Sequence, residues 1–180
     1  MKKTAYFPKT VAILFILGLV ALSSVLSGCN LDWRRYSSRE DKFSILLPRT
    51  WEAETGVFNT AVLAREYDRD SRDTFKENIN LGVAKVPQTV SLGTFFELNK
   101  DELMSKLAIY SPEEDEVFAG MLRGQMLTFE CFGKGNRLKV RIAIFMKNDR
   151  AYIITCTSEA IKFSRYESLF MKAIRSFRSK

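Results

Sequence analysis

The chain has 180 residues, with 28 lysines and arginines against 21 acidic residues, and a formal net charge of +7. It contains no histidine, which excludes Ser-His-Asp and Cys-His catalytic arrangements and every imidazole metal site. The length suits one domain with a real hydrophobic core. The modest excess of positive charge does not require nucleic acid as a partner, and we expect none.

The first 28 residues have the three parts of a secretory signal. Three lysines and no acidic residue accompany an uncharged apolar run from Val11 to Leu26, which small residues follow. This run is shorter than the roughly 20 residues that cross a bilayer comfortably. We therefore predict a cleaved leader over residues 1–28, whose loss leaves 152 residues with a net charge of +4.

The leader ends in Leu26, Ser27, Gly28 and Cys29, which resemble the lipobox of bacterial lipoproteins. The resemblance implies that the Cys29 sulfur receives a diacylglyceryl group, that cleavage follows Gly28, and that the new amino terminus is acylated. Because each buried methylene contributes about 0.8 kcal/mol, three acyl chains would hold the protein firmly on a membrane. Asn30 at the next position favours the outer membrane, on the side that faces the periplasm.

Residues 29–39 are predicted to be a lipidated linker, and residues 40–180 are predicted to be the folded domain. The linker contains DWRRY, in which two arginines lie between two aromatic residues. That composition is typical of the lipid headgroup layer, although a plain solvated linker has it too.

The first half of the domain predicts three short strands. They are the segments KFSILLP at residues 42–48, NTAVLAREY at 59–67 and INLGVAKV at 79–86. Trp51 follows the first strand and is expected to cover an edge of the core. A charged loop that begins with DRDSRD separates the last two strands.

The stretch SLGTFFELNKDELMSKL, residues 91–107, changes to a helical period. Its apolar side chains fall on one helical face: Leu92, Phe95, Phe96, Leu103 and Leu107. Either Ser91 caps the start of the helix, or Thr94 with Glu97 forms a capping box one turn later. The following YSPEEDE is predicted to end the helix, with EEDE as a surface turn.

Three consecutive strands are predicted next, in GQMLTFECFG, RLKVRIAIFMK and RAYIITCTS. Tight turns at residues 133–136 and 148–149 join them. Cys131 and Cys156 lie on the first and third of these strands, about twice the strand spacing of roughly 4.8 Å apart. This exceeds the limit of about 7 Å between the Cα atoms of a disulfide, so we expect two free, buried thiols.

The chain closes with a second amphipathic helix whose aromatic stripe packs on the sheet. The stripe recurs at steps of three and four residues: Phe163, Tyr166, Phe170, Ile174 and Phe177. Ser164 with Glu167 is predicted to form its capping box. Arg175, Arg178 and Lys180 suit the negative end of the helix dipole.

Neither acidic cluster of the sequence fits a calcium site. In DRDSRD, Arg72 stands where an EF-hand loop needs a ligand, and Asp73 replaces the essential glycine. EEDE, residues 113–116, lacks spaced ligands and is interpreted as solvated. We expect no metal ion and no cofactor other than the covalent lipid.

A cationic group is the most suggestive polar feature. Arg137, Lys139 and Arg141 alternate with apolar residues, so the three positive side chains share one face of the sheet. With Arg123 and Lys134 near in sequence, they form a candidate patch for anionic lipid, glycan or the acidic surface of a partner. An ordinary solvated face remains the alternative.

Together the elements predict an α+β fold, a single sandwich of about six mostly antiparallel strands packed by two main helices. Their order resembles the PsbP-like α/β sandwich family over residues 40–178. The resemblance is carried by FSILLPRTW, FKENINLGVAKVP, SLGTFFELNKDELMSKL, NDRAYIITCTS and KFSRYESLFMKAIRSFR. This family includes bacterial lipoproteins of unassigned function and extrinsic photosystem II subunits, which help to retain calcium and chloride.

The sequence departs from the photosynthetic members in two ways. Thr50-Trp51 stands where they usually have Gly-Trp, and their ion-binding histidines have no counterpart here. We therefore expect a non-catalytic, lipid-anchored accessory module that binds another protein of the cell envelope. The alternatives are an ion-retaining photosystem II subunit and a hydrolase that uses two carboxylates.

Overall fold

We describe the protein from a computed structural model, which places residues 32–67, 75–133 and 135–180. The strands in chain order are β1 (Trp33–Ser38), β2 (Phe43–Pro48), β3 (Glu52–Glu54), β4 (Val62–Arg65), β5 (Asn78–Lys85), β6 (Tyr110–Ala119), β7 (Leu122–Gly133), β8 (Asn136–Lys147), β9 (Arg150–Glu159) and β10 (Arg178–Ser179). The helices are α1 (Leu92–Lys106) and α2 (Phe163–Ser176), and a 3-10 turn (Ala160–Lys162) leads into α2.

The strands form two antiparallel sheets. The small sheet has the order β1-β2-β10, and the large sheet has the order β3-β4-β5-β9-β8-β7-β6. This confirms the predicted α+β fold with two main helices and mostly antiparallel strands. The prediction of one sheet with about six strands is wrong, because the described residues form one sheet of three strands and one of seven.

Two of the strands that the sequence did not predict lie where apolar alternation is absent. β1 falls within the arginine-rich segment that was assigned to the linker, and it pairs with β2 along its whole length. β6 contains Glu113–Glu116, predicted to be a turn; it is an edge strand whose first seven residues are exposed. An exposed edge strand has no buried face to select apolar residues. The compact unit that includes both strands spans Asp32–Lys180.

The large sheet buries one face beneath both α2 and the small sheet, and we call this the core face. Its cluster is rich in aromatic rings, which include Phe43, Trp51, Phe145, Tyr152, Phe163, Tyr166, Phe170 and Phe177. The ring of Phe177 lies 5.0 Å from that of Tyr152 and 5.2 Å from that of Phe145, centroid to centroid. Aromatic contacts of this kind contribute about 0.5–1.5 kcal/mol beyond the area that they bury.

The opposite face of the large sheet carries α1, and we call it the α1 face. A smaller cluster lies here, formed by Phe96 of the helix and by side chains of the central strands: Leu127, Phe129, Cys131, Leu138, Val140, Ile142 and Ile144. The helix contacts β7 and β8. The sheet extends well past these strands, so α1 covers only part of this face.

The two helices begin differently. The Ser91 hydroxyl accepts a hydrogen bond of 3.1 Å from the Thr94 backbone N–H, which confirms Ser91 as the cap of α1. The capping box predicted for Ser164 and Glu167 is wrong. Because the chain enters α2 through a 3-10 turn, Ser164 already lies inside the helix, and the N-cap residue Lys162 makes no side-chain cap.

The two cysteines are free and buried, as predicted. Cys131 belongs to the cluster on the α1 face, whereas Cys156 belongs to the cluster on the core face. β8 lies between their strands. The thiols are therefore separated both by the intervening strand and by the thickness of the sheet. Burial raises the pKa of each thiol.

Candidate ligand groove

A cavity of about 320 Å³ lies between α1 and the large sheet, and we call it the α1 groove. Its floor consists of side chains from three adjacent strands: Leu127, Ile142, Ile144, Ile153 and Thr155. Its helical wall consists of Phe96, Asn99, Lys100, Glu102, Leu103 and Lys106. The interior is therefore apolar, and the polar groups lie on the helical side.

The groove exists because the apolar stripe of α1 is interrupted. Phe96 is buried, but the next positions that a helix would turn toward the sheet are Asn99 and Lys100. Leu103 resumes contact one turn later. The helix is thus held against the sheet at two points, and the space between them stays unfilled.

The sheet surface beside the groove continues onto β5. Ile153 pairs with Gly82 across the β5–β9 ladder, so the Cα of Gly82 lies beside the groove. A Cβ atom added to Gly82 would meet no atom within 4 Å. The surface next to Ile153 is consequently open, and a ligand can lie along it without displacing a side chain.

The charged groups on the helical wall are neutralised in pairs. The Lys100 ammonium lies 2.5 Å from a Glu97 carboxylate oxygen and 2.9 Å from one of Glu114, and these hydrogen bonds raise the pKa of Lys100. Lys106 pairs with Glu102, and the hydrogen bond lowers the pKa of that carboxyl group. With two ammonium groups against three carboxylates, the mouth offers no free positive charge.

A polar atom without a partner lies beside this floor. Gln125 pairs with Ile144 across the β7–β8 ladder, and strand alternation places it on the same face as Leu127. Its side-chain oxygen is buried and makes no hydrogen bond within the part of the chain that the structure describes. Gln125 is not among the residues that line the groove.

A second cavity, of about 470 Å³, opens on β4 and β5. Its lining is more polar and includes Arg65, Asn78 and Asn80 besides Phe58 and Leu63. Phe75 and Lys76 also line it, and they follow in sequence directly after residues 68–74, which lie outside the described part. We regard the α1 groove as the candidate site, because it combines an aliphatic floor with polar groups along one wall.

The predicted cationic patch takes a different form in the structure. Arg141 lies on the expected face but is only 8% exposed. Its Nε donates to the Thr128 hydroxyl at 3.1 Å, and its Nη2 donates to a Glu167 carboxylate oxygen at 2.8 Å. Its guanidinium also packs 5.1 Å from the centre of the Phe163 ring. Arg141 therefore tethers α2 to the sheet and offers no charge to solvent.

The other members of the predicted patch are also engaged. Lys139 places its ammonium 5.2 Å from the centre of the Phe163 ring. Arg137 donates to Glu130 at 2.6 Å, and Arg123 pairs with Glu116. Lys134 lies outside the described residues. The structure thus brings Arg137, Lys139 and Arg141 to one face of the sheet, and their role in binding a partner stays a prediction.

Several predicted features fall outside the described residues. These are the leader, the lipobox residues Leu26, Ser27 and Gly28, the lipidation site Cys29, and Asn30. The charged loop with its acidic cluster at 68–73 lies outside as well. Within residues 32–67, 75–133 and 135–180, no three Cys, Asp or Glu side chains gather as metal ligands would. The helices of these ranges are too short or too polar to traverse a bilayer.

The comparison with known proteins identifies the fold. No protein-family model matches the sequence, and no curated protein matches it. Among solved structures, cyanobacterial PsbP (CyanoP) from Synechocystis sp. PCC 6803 superposes with a TM-score of 0.63 at 15% identity, over 89% of this chain and 99% of that one. The fold is PsbP-like.

Two further structures share this PsbP-like fold. LpqN, described as involved in cell envelope biogenesis of Mycobacterium tuberculosis, gives a TM-score of 0.60 at 8% identity, over 87% of this chain and 95% of LpqN. PA94 of Pseudomonas aeruginosa, a protein of unknown function, gives 0.57 at 10% identity, over 82% of this chain and 97% of PA94. At these identities the likeness concerns the fold alone.

Proposed function

We propose that the protein is a lipid-anchored, non-catalytic binding module of the cell envelope, and that the α1 groove receives another envelope component. The groove carries this proposal, because an apolar cavity of about 320 Å³ with polar groups along one wall has the size and lining of a ligand site. The resemblance of Leu26–Cys29 to a lipobox supports the anchor, and Asn30 supports an outer-membrane location that faces the periplasm.

The likeness to LpqN is consistent with this setting. LpqN is a cell-envelope protein by its description, and it has the same fold. One scaffold can serve unrelated partners, so the binding role rests on the groove of this chain and the location rests on its leader.

The anchor is tested by Cys29→Ser. If Cys29 carries the lipid, this substitution blocks lipidation and the cleavage after Gly28, so the variant keeps its leader and carries no lipid. Mass spectrometry of the wild-type protein should recover a chain that begins with a modified Cys29. Recovery of an unmodified thiol at Cys29 with the leader attached would contradict the anchor.

The binding role is tested by site-specific photocrosslinking in intact cells. A photoreactive residue at Lys106, beside the groove, should give a discrete adduct, whereas one at the fully exposed Met121 in the β6–β7 turn serves as the control. The adduct should disappear when Ile153→Phe narrows the groove at its floor. An adduct that persists in that variant, or appears equally from Met121, would contradict binding in the groove.

A further inference from the structure

We infer that the exposed side of α2 lies on the anionic phospholipid headgroups of the membrane that holds the lipid anchor. This inference rests on the proposed function, because it takes the anchor at Cys29 as given, and it adds the orientation of the domain on the membrane. It follows from the charges on α2, from their contact with the start of β1, and from the short length of chain between β1 and Cys29.

The side of α2 that faces away from the sheet is cationic. Arg165, Ser168, Lys172 and Arg175 are exposed and recur at steps of three and four residues, so they share one side of the helix. We call these four residues the α2 outer surface. Glu167 is the single acidic residue in the sequence of this helix, and Arg141 holds its carboxylate at 2.8 Å. The surface therefore carries a net positive charge.

The three cations of the α2 outer surface are not neutralised by carboxylates. In the part of the chain that the structure describes, Arg165, Lys172 and Arg175 make no ion pair. Each arginine of β7 and β8, by contrast, already holds a carboxylate. The positive charge of α2 is consequently available to an anionic surface, and lipid phosphates are such a surface.

Lys172 lies beside the start of β1. Its ammonium lies 4.6 Å from the centre of the ring of Trp33, the first residue of that strand. Asp32 before it is fixed to the turn after β2, because the Arg49 backbone N–H donates to the Asp32 carbonyl oxygen at 2.7 Å and their side chains form an ion pair. Tryptophan beside a cation is a combination typical of the headgroup layer of a membrane.

The length of chain to the anchor brings the membrane close to this contact. Cys29 precedes Asp32 by three residues, which span at most about 11 Å when fully extended. A lipid on Cys29 would therefore hold Trp33 and Lys172 near the headgroups. Because the tether keeps the phospholipids at a high local concentration, three cations are enough to bias which side of the domain meets the bilayer.

This orientation has a consequence for the α1 groove. The two helices cover opposite faces of the large sheet. A domain that rests on α2 turns α1 away from the anchoring membrane. The groove then opens toward the aqueous compartment, and its occupant enters from there rather than from the surrounding lipid.

The test uses the mature lipidated protein in vesicles of phosphatidylethanolamine with either phosphatidylglycerol or phosphatidylcholine. A fluorescent label on Ser168→Cys reports on the α2 outer surface, and one on Leu98→Cys, at an exposed position of α1, reports on the opposite side. In phosphatidylglycerol vesicles, a nitroxide on the lipid headgroups should quench the label at position 168 several-fold more than the label at position 98. The difference should shrink in phosphatidylcholine vesicles and at high salt.

Two double variants of equal charge complete the test. Lys172→Gln with Arg175→Gln should abolish the excess quenching at position 168. Lys85→Gln with Lys147→Gln removes the same charge from exposed positions of the large sheet and should preserve it. Equal quenching of the two labels, the same quenching in both kinds of vesicle, or an equal loss in both double variants would overturn the inference.

Flotation of the vesicles separates this outcome from a failure of the anchor. A protein that does not float with phosphatidylcholine vesicles lacks the anchor of the proposed function. A protein that floats with both kinds of vesicle but shows equal quenching of the two labels keeps its anchor, and only the orientation fails. In cells, a photoreactive residue at position 168 should capture phospholipid, and capture of an acidic protein instead would overturn the membrane assignment.

Discussion

The two faces of the large sheet differ in how completely they are covered and packed. On the core face, α2 and the small sheet close over a continuous cluster of rings, many of which are completely buried. On the α1 face, a helix with one buried residue leaves a cavity and an uncovered strip of β5 and β9. The difference indicates that the core face supplies most of the stability, and that the α1 face can tolerate an opening because it contributes less.

Two glycines of the large sheet show the same difference at the scale of one atom. A Cβ at Gly124, on the core side of β7, would lie 2.6 Å from the Phe145 ring and 2.7 Å from the Ile144 carbonyl oxygen. A Cβ at Gly82, on the α1 side of β5, would meet nothing. Glycine is thus required at position 124 by close packing, and at position 82 it leaves space.

The largest expected effect separates two buried phenylalanines. Phe170→Ala on the core face should lower the free energy of unfolding by about 3–5 kcal/mol, because its ring is in contact with Trp51, Phe163 and Tyr166. Phe96→Ala should cost only about 2–3 kcal/mol, because its ring already borders the groove. Urea unfolding followed by tryptophan fluorescence measures both. Equal costs would remove the contrast between the faces.

The second effect compares the glycines. Gly124→Ala should destabilise by about 1–3 kcal/mol, since the added methyl group must displace Phe145 or the β8 backbone. Gly82→Ala should be neutral or stabilising by about 0.5 kcal/mol, because alanine narrows the unfolded ensemble and meets no atom here. The melting temperatures of the Gly124→Ala and Gly82→Ala variants, compared with that of the wild type, measure both effects. A destabilised Gly82→Ala would show that the α1 face is closed in solution.

The smallest expected effect is a difference between Cys131 and Cys156 in their rate of reaction with a thiol reagent. Both pKa values are raised by burial, so little thiolate forms at neutral pH and both thiols should react slowly. Cys131 is 7% exposed on the α1 face and Cys156 is 0% exposed on the core face. Cys131 should therefore react first with a thiol reagent, and raising the pH from 7 to 9 should accelerate its reaction.

Peptide mapping of the modified thiol decides the order. The Cys131→Ser variant is the control, because the fast reaction should vanish from it. In the denatured mature protein, the same reagent should count two thiols if Cys29 carries lipid and three if it does not. If Cys156 reacted faster than Cys131, the core face would not be the more tightly packed face, contrary to our assignment.

The sequence predicted those parts of the fold in which period and burial agree. β7, β8 and β9 are long apolar strands bounded by turns, and the stripe of α2 runs unbroken from Phe163 to Phe177, so both were recognised. β1 and β6 were missed because one is rich in arginine and the other is an exposed acidic edge. In such strands backbone pairing alone sets the structure, and it leaves no mark in the side-chain pattern.

The groove was not predicted, although a signal for it was present. Asn99 and Lys100 interrupt the apolar face between Phe96 and Leu103, which indicates a helix that cannot seat fully on its sheet. What the sequence could not indicate is that Gly82 comes to lie beside Ile153, because that neighbour is set by strand order. Likewise, the alternation of Arg137, Lys139 and Arg141 correctly indicated a shared face but not the carboxylates that engage two of them.

The acidic edge of the large sheet has a consequence for how copies of the protein coexist. β6 presents unpaired backbone groups along one side, the usual template for strand-to-strand fusion between molecules. Glu113–Glu116 lie exposed on this strand, and its pairing with β7 is irregular between Tyr110 and Glu113. Glu114 and Glu116 are paired with Lys100 and Arg123, but two such edges would still bring Glu113 and Asp115 of both copies together, and this repulsion disfavours edge-to-edge pairing.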